Sequence, residues 1–390
     1  MRHDFDREIN RRDTECKKYE PGAYPADVIP MWIADTDFAA PVEVQEAIKE
    51  RAEHPCFGYP ANQAAFEEAA ARWMRDRHHW DVKPEWVKYG QGVMPFIKFA
   101  LDAFTAPGDK VVIQTPVYPP FHAIVKNNGR QLVHNSLREN GDLHYEMDFE
   151  DLEAKLKDPR TKLMLLCSPH NPVMRCWKED ELRRVGDLCL KYHVFLVVDE
   201  IHCDLTYKGY KQISFGTLGE KYMQNCMVMI NPSKTFNIAG FRVGAAIIPN
   251  DEYRDRIETA IVNNKAYGRT IFGNLAFVTA YTKCDYYADE LLEYLEENKN
   301  LLANFLKTRI PKIRMGEAEA TYLMWLDCRE LHMTQDELKA FFKEKVKLAL
   351  NDGATFGPEG VGFMRMNIAC TRKTLQEALE RLEREVNKLG

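Results

Sequence analysis

Ten cysteines are scattered at positions 16, 56, 167, 176, 189, 203, 226, 284, 328 and 370, and no two are spaced as CxxC. None sits with histidine at zinc-ligand spacing, so a structural zinc site is not expected, and reduced thiols are expected in place of a disulfide framework. No apolar run approaches about 18 residues, which leaves no candidate for a membrane-spanning helix. The opening stretch MRHDFDREINRRDTECKKY has no apolar core, so it does not read as a secretory signal, and the expected compartment is the cytoplasm. Basic residues are not in excess either. Lys and Arg number 53 against 59 Asp and Glu, a net charge of −6, so no global field attracts nucleic acid or an anionic membrane. Internal repeats, low-complexity tracts and Ser/Gly linkers are missing as well.

What remains is a chain of 390 residues, 45% hydrophobic, long enough for a large core and two domains. Short apolar runs recur at Val111–Gln114, Leu163–Cys167, Val194–Val198, Cys226–Ile230 and Gly244–Ile248. Between the second and third, Lys178–Tyr192 places its apolar residues at helical spacing. Runs with so little polar alternation predict strands covered on both faces, in a mostly parallel α/β sheet flanked by helices. After about residue 285 the texture changes. A long amphipathic helix is predicted over Tyr287–Arg309, then strands near Tyr322–Asp327 and Phe363–Ala369, with helices at Thr334–Leu350 and Lys373–Leu389. The first 45 residues are extended and punctuated by proline, and are expected to pack beside this C-terminal α+β unit. The predicted organisation is a large domain over 46–286 and a small domain from 1–45 and 287–390, with the active cleft between them.

The most unusual stretch is NPSKTFNIAG at 231–240, where Lys234 follows a buried-strand pattern directly, with no charged helix around it. Asp199 ends another such run, in VVDEIH, where ligands bind in open α/β sheets. Together they are either a plain ion pair or a Schiff-base lysine with the partner of a pyridinium nitrogen. Tyr89–Met94 (YGQGVM) is a Gly-rich turn whose free N–H groups suit a phosphate, and Ser233 and Arg242 could reach the same anion. Tyr118, in TPVYPPF, could stack on a flat ring, and Asn171, in SPHNP, could donate to a ring oxygen. Arg365 interrupts the apolar run FMRMNIA, so it needs an anion: a substrate carboxylate or an internal acid. Each of these residues taken singly also has a structural reading.

In combination and in order, IPMWIADTDF, FGYP, TPVYPPF, SPHNP, VVDEIHCDL, SKTFNIAG and FMRMNIA resemble the class I/II aminotransferase fold, fold type I of the pyridoxal-phosphate enzymes. The likeness spans nearly the whole chain and is strongest to the cystathionine β-lyase and cystalysin-like C–S lyase branch. That resemblance implies pyridoxal 5′-phosphate held by Lys234 as a Schiff base, with Asp199 on the pyridinium nitrogen. It also implies Asn171 and His202 at the ring oxygen, Tyr118 stacked on the ring, and Gly92, Val93, Ser233 and Arg242 around the phosphate. Arg365 would bind the substrate α-carboxylate, and Tyr59 would reach the phosphate from a neighbouring subunit, which implies a homodimer. Two positions depart from the family pattern. Met174 stands where glycine is usual, which implies either strain or another loop path, and Thr36 stands where methionine is common. The implied activity is β-elimination from L-cystathionine or related cysteine S-conjugates, giving a thiol, pyruvate and ammonia. An aminotransferase of the same fold, or a regulatory protein-binding member, is the alternative.

Overall fold

Alternate residues of the central strands enter two separate cores, and that alternation builds the large sheet. Val111, Ile113, Leu163, Leu165, Val197 and Met227 face one core, while Val112, Met164, Leu166, Leu196, Val198 and Val228 face the other. The protein is described by a computed structural model over residues 2–61 and 63–389. Its seven-stranded sheet runs in the order Val87–Gly90, Gly244–Ile247, Cys226–Ile230, Phe195–Asp199, Thr161–Cys167, Lys110–Thr115, Gln131–Ser136. Gly244–Ile247 is antiparallel to both neighbours, and the other pairings are parallel. Burial on both faces explains why the five inner strands read as apolar runs, while the edge strand Gln131–Ser136 is only partly buried.

The helix Glu179–Lys191 crosses between two of these strands. It opens on Glu179, Asp180 and Glu181 and carries Lys191 in its last turn, which suits the helix dipole. The long helix Asp285–Arg309 lies beyond the large sheet and leads into a second, four-stranded sheet. In that sheet Leu323–Asp327 pairs antiparallel with Phe363–Asn367. The N-terminal segment contributes a short strand, Ile29–Pro30, paired in parallel with Leu348–Ala349. This pairing corrects the helix expected over Thr334–Leu350. The α-helix covers only Gln335–Ala340, a π-helical stretch follows over Phe341–Val346, and Lys347 turns left-handed at φ 64° to start the strand. The apolar spacing of that stretch fits a helix throughout, but pairing with a segment more than 300 residues away prevails at its end.

Met174 keeps the conformation that glycine would favour. Its φ is +62° and its side chain is buried. The loop is fixed on both sides, because the Met174 carbonyl accepts from the N–H groups of Glu319 and Ala320, each at 3.1 Å. Its sulfur lies 3.4 Å from the N–H of Trp325. The left-handed backbone costs about 1–2 kcal/mol, and the buried thioether offsets it. Met174→Gly should therefore relieve strain yet lower stability by about 1–3 kcal/mol, because a cavity replaces the side chain. Urea denaturation measures this, and a more stable variant would contradict it.

Candidate active site

Strand ends converge to form the site. Asp199 is the last residue of Phe195–Asp199, beside Cys167 on one neighbouring strand and Met229 on the other. Lys234 follows on the four-residue helix Ser233–Phe236, just past the end of Cys226–Ile230. Both line one small cavity of about 60 Å³, together with Ala34, Val93, Met94, Tyr118, Asn171 and His202. Six residues singled out in the sequence thus share one space: Lys234, Asp199, Asn171, His202, Tyr118 and Val93.

Desolvation controls the electrostatics there. Burial lowers the Lys234 amine to about 8, with Arg365 adding to the effect and Asp35 and Asp199 opposing it. Burial raises Asp199 to about 6, against the N–H of Ile201 and the Lys234 amine. Lys234 Nζ donates to the carbonyl of Ala34 at 2.6 Å. Burial, with Lys234 and Arg365 nearby, pushes His202 well below its usual range, so its ring is neutral, and its buried Nδ1 has no partner.

An adjoining cleft is lined by Gln91, Gly92, Val93, Asn231, Ser233 and Arg242. Gly92 has φ +96°, and Val93 caps the helix Met94–Phe104, whose N-terminal residues Met94 and Pro95 line the same cleft. A Cβ on Gly244 would come within 3.2 Å of the Gly92 backbone, so the floor of the cleft is closely packed. Arg242 is exposed and has no ion-pair partner among the described residues. Helix N-terminus, hydroxyl and free guanidinium form a donor set for a phosphate.

Arg365 has no acid as a partner among the described residues. It is buried on Phe363–Asn367, and its bonds run to Asn171 Oδ1 (3.0 Å), the Trp32 carbonyl (2.9 Å) and Asn351 Oδ1. All three partners are neutral, and among the described residues Nε has none. Among the described residues no carboxylate pairs with it, so it remains available to an incoming anion. Burial accordingly lowers its guanidinium to about 10. Asn171 spends only its oxygen on Arg365, which leaves its amide as a donor. These features fit pyridoxal 5′-phosphate: an amine, a carboxylate for a ring nitrogen, donors for a ring oxygen and a cradle for a phosphate.

Tyr59 is not brought to this cavity. It is fully exposed beside Phe57, Arg269 and Phe272 in a separate surface hollow. Other contributors carried no assigned role in the sequence. Ala34 and Trp32 supply carbonyls, Asn351 supports Arg365, and Asn231 accepts from the N–H of Ser233 at 2.8 Å. Asn237 ties the lysine turn to the carbonyls of Thr36 (3.0 Å) and Phe38 (2.7 Å). The motif IPMWIADTDF was the only signal for the carbonyl contributors, since backbone acceptors have no residue signature.

The aminotransferase class I and II family model matches residues 26–382. The chain is 41% identical to cystathionine beta-lyase PatB of Bacillus subtilis, over 97% of this chain and 98% of that one. The crystal structure of cystalysin from Treponema denticola, which contains pyridoxal 5′-phosphate, superposes with a TM-score of 0.96 at 34% identity, covering all of both chains. An aspartate aminotransferase of Geobacillus stearothermophilus is 28% identical, over 92% of this chain and 91% of that one.

Proposed function

We propose a reaction for this chain, which belongs to the aminotransferase class I and II family: β-elimination at a carbon–sulfur bond, with L-cystathionine or a related cysteine S-conjugate as substrate. With water, the products are a thiol, pyruvate and ammonia. The observation that carries the reading is Arg365, a buried guanidinium with neutral partners only, one hydrogen bond from the cavity that holds Lys234 and Asp199. The relatives named cystathionine beta-lyase and cystalysin, 41% and 34% identical, are nearer in sequence than the aspartate aminotransferase at 28%.

Pyridoxal 5′-phosphate bound here supplies an electron sink for the charge left when substrate Cα loses a proton. Lys234 would hold the cofactor, and its amine, once free, would be placed to remove the Cα proton of the substrate. Burial favours this role, because an amine lowered to about 8 is partly neutral near pH 7.5. Asp199 holds a proton on the ring nitrogen, and Asn171 and His202 fix the ring oxygen. Tyr118 stacks on the ring. Gly92, Val93, Ser233 and Arg242 hold the phosphate, and Arg365 grips the α-carboxylate and so orients Cα toward Lys234.

A symmetric homodimer belongs to the same proposal. Exposed Phe57 and Tyr59 line one hollow with Arg269, and a second copy would cover them. Tyr59 of the partner subunit would then reach the phosphate. Tyr59→Phe should weaken cofactor retention about 10- to 100-fold in equilibrium dialysis, the worth of one hydrogen bond to a charged group. Unchanged retention would remove Tyr59 from the site. A reducing, cytoplasmic setting belongs to the same proposal.

Transamination is the competing outcome and uses the same lysine and aspartate. Steady release of pyruvate and thiol from cystathionine, with no keto acid added, is the expected result. Turnover that strictly requires an added keto acid would replace the lyase with an aminotransferase.

A further inference from the structure

The turn that presents Lys234 is only four residues long, too short for its own hydrogen bonds to fix its orientation. Side chains from elsewhere clamp it. Asn231 holds the N–H of Ser233, and Asn237 anchors the far end to residues 36 and 38. The third clamp is a buried charge behind the cavity. Asp204 Oδ2 accepts from the hydroxyl of Thr235 at 2.8 Å, directly beside Lys234. Its Oδ1 accepts from Trp73 Nε1 at 3.0 Å and meets His78 Nε2 at 2.7 Å. Trp73 and His78 both lie on the helix Gln63–His78. One carboxylate therefore joins the lysine turn, that helix and the segment after Asp199.

We propose that Asp204 is a positioning residue for Lys234, acting through the Thr235 hydroxyl, with His78 as the group that fixes its carboxylate. The inference rests on the assignment of Lys234 as the cofactor lysine. Burial alone would raise Asp204, yet His78, Thr235 and Trp73 hold it below the usual carboxylate range, so it stays ionised. An ionised carboxylate is a costly way merely to fill space, since apolar packing of similar volume is often as stable. What it adds is direction: the Thr235 hydroxyl has one strong acceptor and hence one orientation. Cys203 also approaches, its sulfur 3.8 Å from Oδ1, and with His78 and Asp204 it lines a surface-connected cavity. Thr235, Trp73 and His78 take three of the roughly four acceptor positions of the carboxylate, which sets its orientation.

The test uses the cofactor-loaded enzyme with Thr235→Val, Thr235→Ala, Thr235→Ser and Asp204→Asn. Val and Ala should each lower kcat about 10- to 100-fold, the worth of one hydrogen bond to a charged group, with KM nearly unchanged. Both should also shift the pH at which the visible absorbance of the lysine-bound cofactor titrates, which a purely structural role would not move. Ser should restore rate and titration, and Asp204→Asn should behave like Val. Val or Ala titrating and turning over as wild type, or Ser as impaired as Ala, would overturn the clamp. Failure of the wild type itself to attach cofactor at Lys234 would instead remove the lyase reading.

Discussion

Lys234→Ala should lower pyruvate release from cystathionine by at least about 1,000-fold, because one substitution removes both the covalent anchor and the general base. The groups around it would stay in place. Asn231 and Asn237 hold the turn through its other residues, and Asp204 holds Thr235. The donors around Gly92 and Arg242 do not depend on the amine. The variant should therefore still fold and still take up pyridoxal phosphate, without a covalent link. Removing the amine also removes a buried cation, whose lowered value shows that folding does not favour its charge. Lost turnover with a melting temperature no lower than wild type at pH 7 is the expected pattern, and substantial residual pyruvate release would move the base to another residue.

Asp199→Asn should lower turnover about 100- to 10,000-fold while stabilising the cofactor-free protein. The loss follows from chemistry, since a neutral amide does not hold a proton on the ring nitrogen as a carboxylate does. The gain follows from linkage. Asp199 has an ordinary value of 3.8 and a folded value of about 6, so between these the native state binds more protons than the unfolded chain. Stability must then fall as pH rises through that window, and above about 6 the whole penalty is present, on the order of 3 kcal/mol. Asparagine does not titrate and can still accept from the N–H of Ile201, the bond Asp199 makes at 3.1 Å. Lys234 has the opposite sign. Its value falls from 10.5 to about 8, so the unfolded chain binds more protons between them, and stability rises with pH across that range. At pH 7 the cofactor-free wild type carries both penalties. Thermal melting of the two apoproteins at pH 7 measures the difference, and a less stable Asp199→Asn apoprotein would contradict it.

Both predictions concern residues legible in the sequence, because each breaks a local rule. Lys234 and Arg365 place charge against buried strands, and Asp199 ends a run of five buried residues. Apolar runs with no polar alternation likewise marked five strands of the large sheet within a residue or two, Cys226–Ile230 at both ends, but not the edge strands Val87–Gly90 and Gln131–Ser136, which carry polar residues. Other features were hidden because they depend on distant partners. The end of the helix near residue 346 is decided by Ile29–Pro30, and the carbonyls of Trp32 and Ala34 act as acceptors whatever their side chains. Asp204 lies within VVDEIHCDL, yet nothing local indicates that Thr235 and His78 will meet it. Met174 was visible as a departure, but only the fixed loop around it shows that the backbone keeps its left-handed turn.

The most direct measurement is borohydride reduction of the purified, cofactor-loaded protein, followed by peptide mass spectrometry. The expected result is a single reduced pyridoxyl modification on the peptide carrying Lys234, lost in Lys234→Ala. A modification on another lysine, or none in a protein that has taken up cofactor, would contradict the assignment of Lys234 and the chemistry built on it.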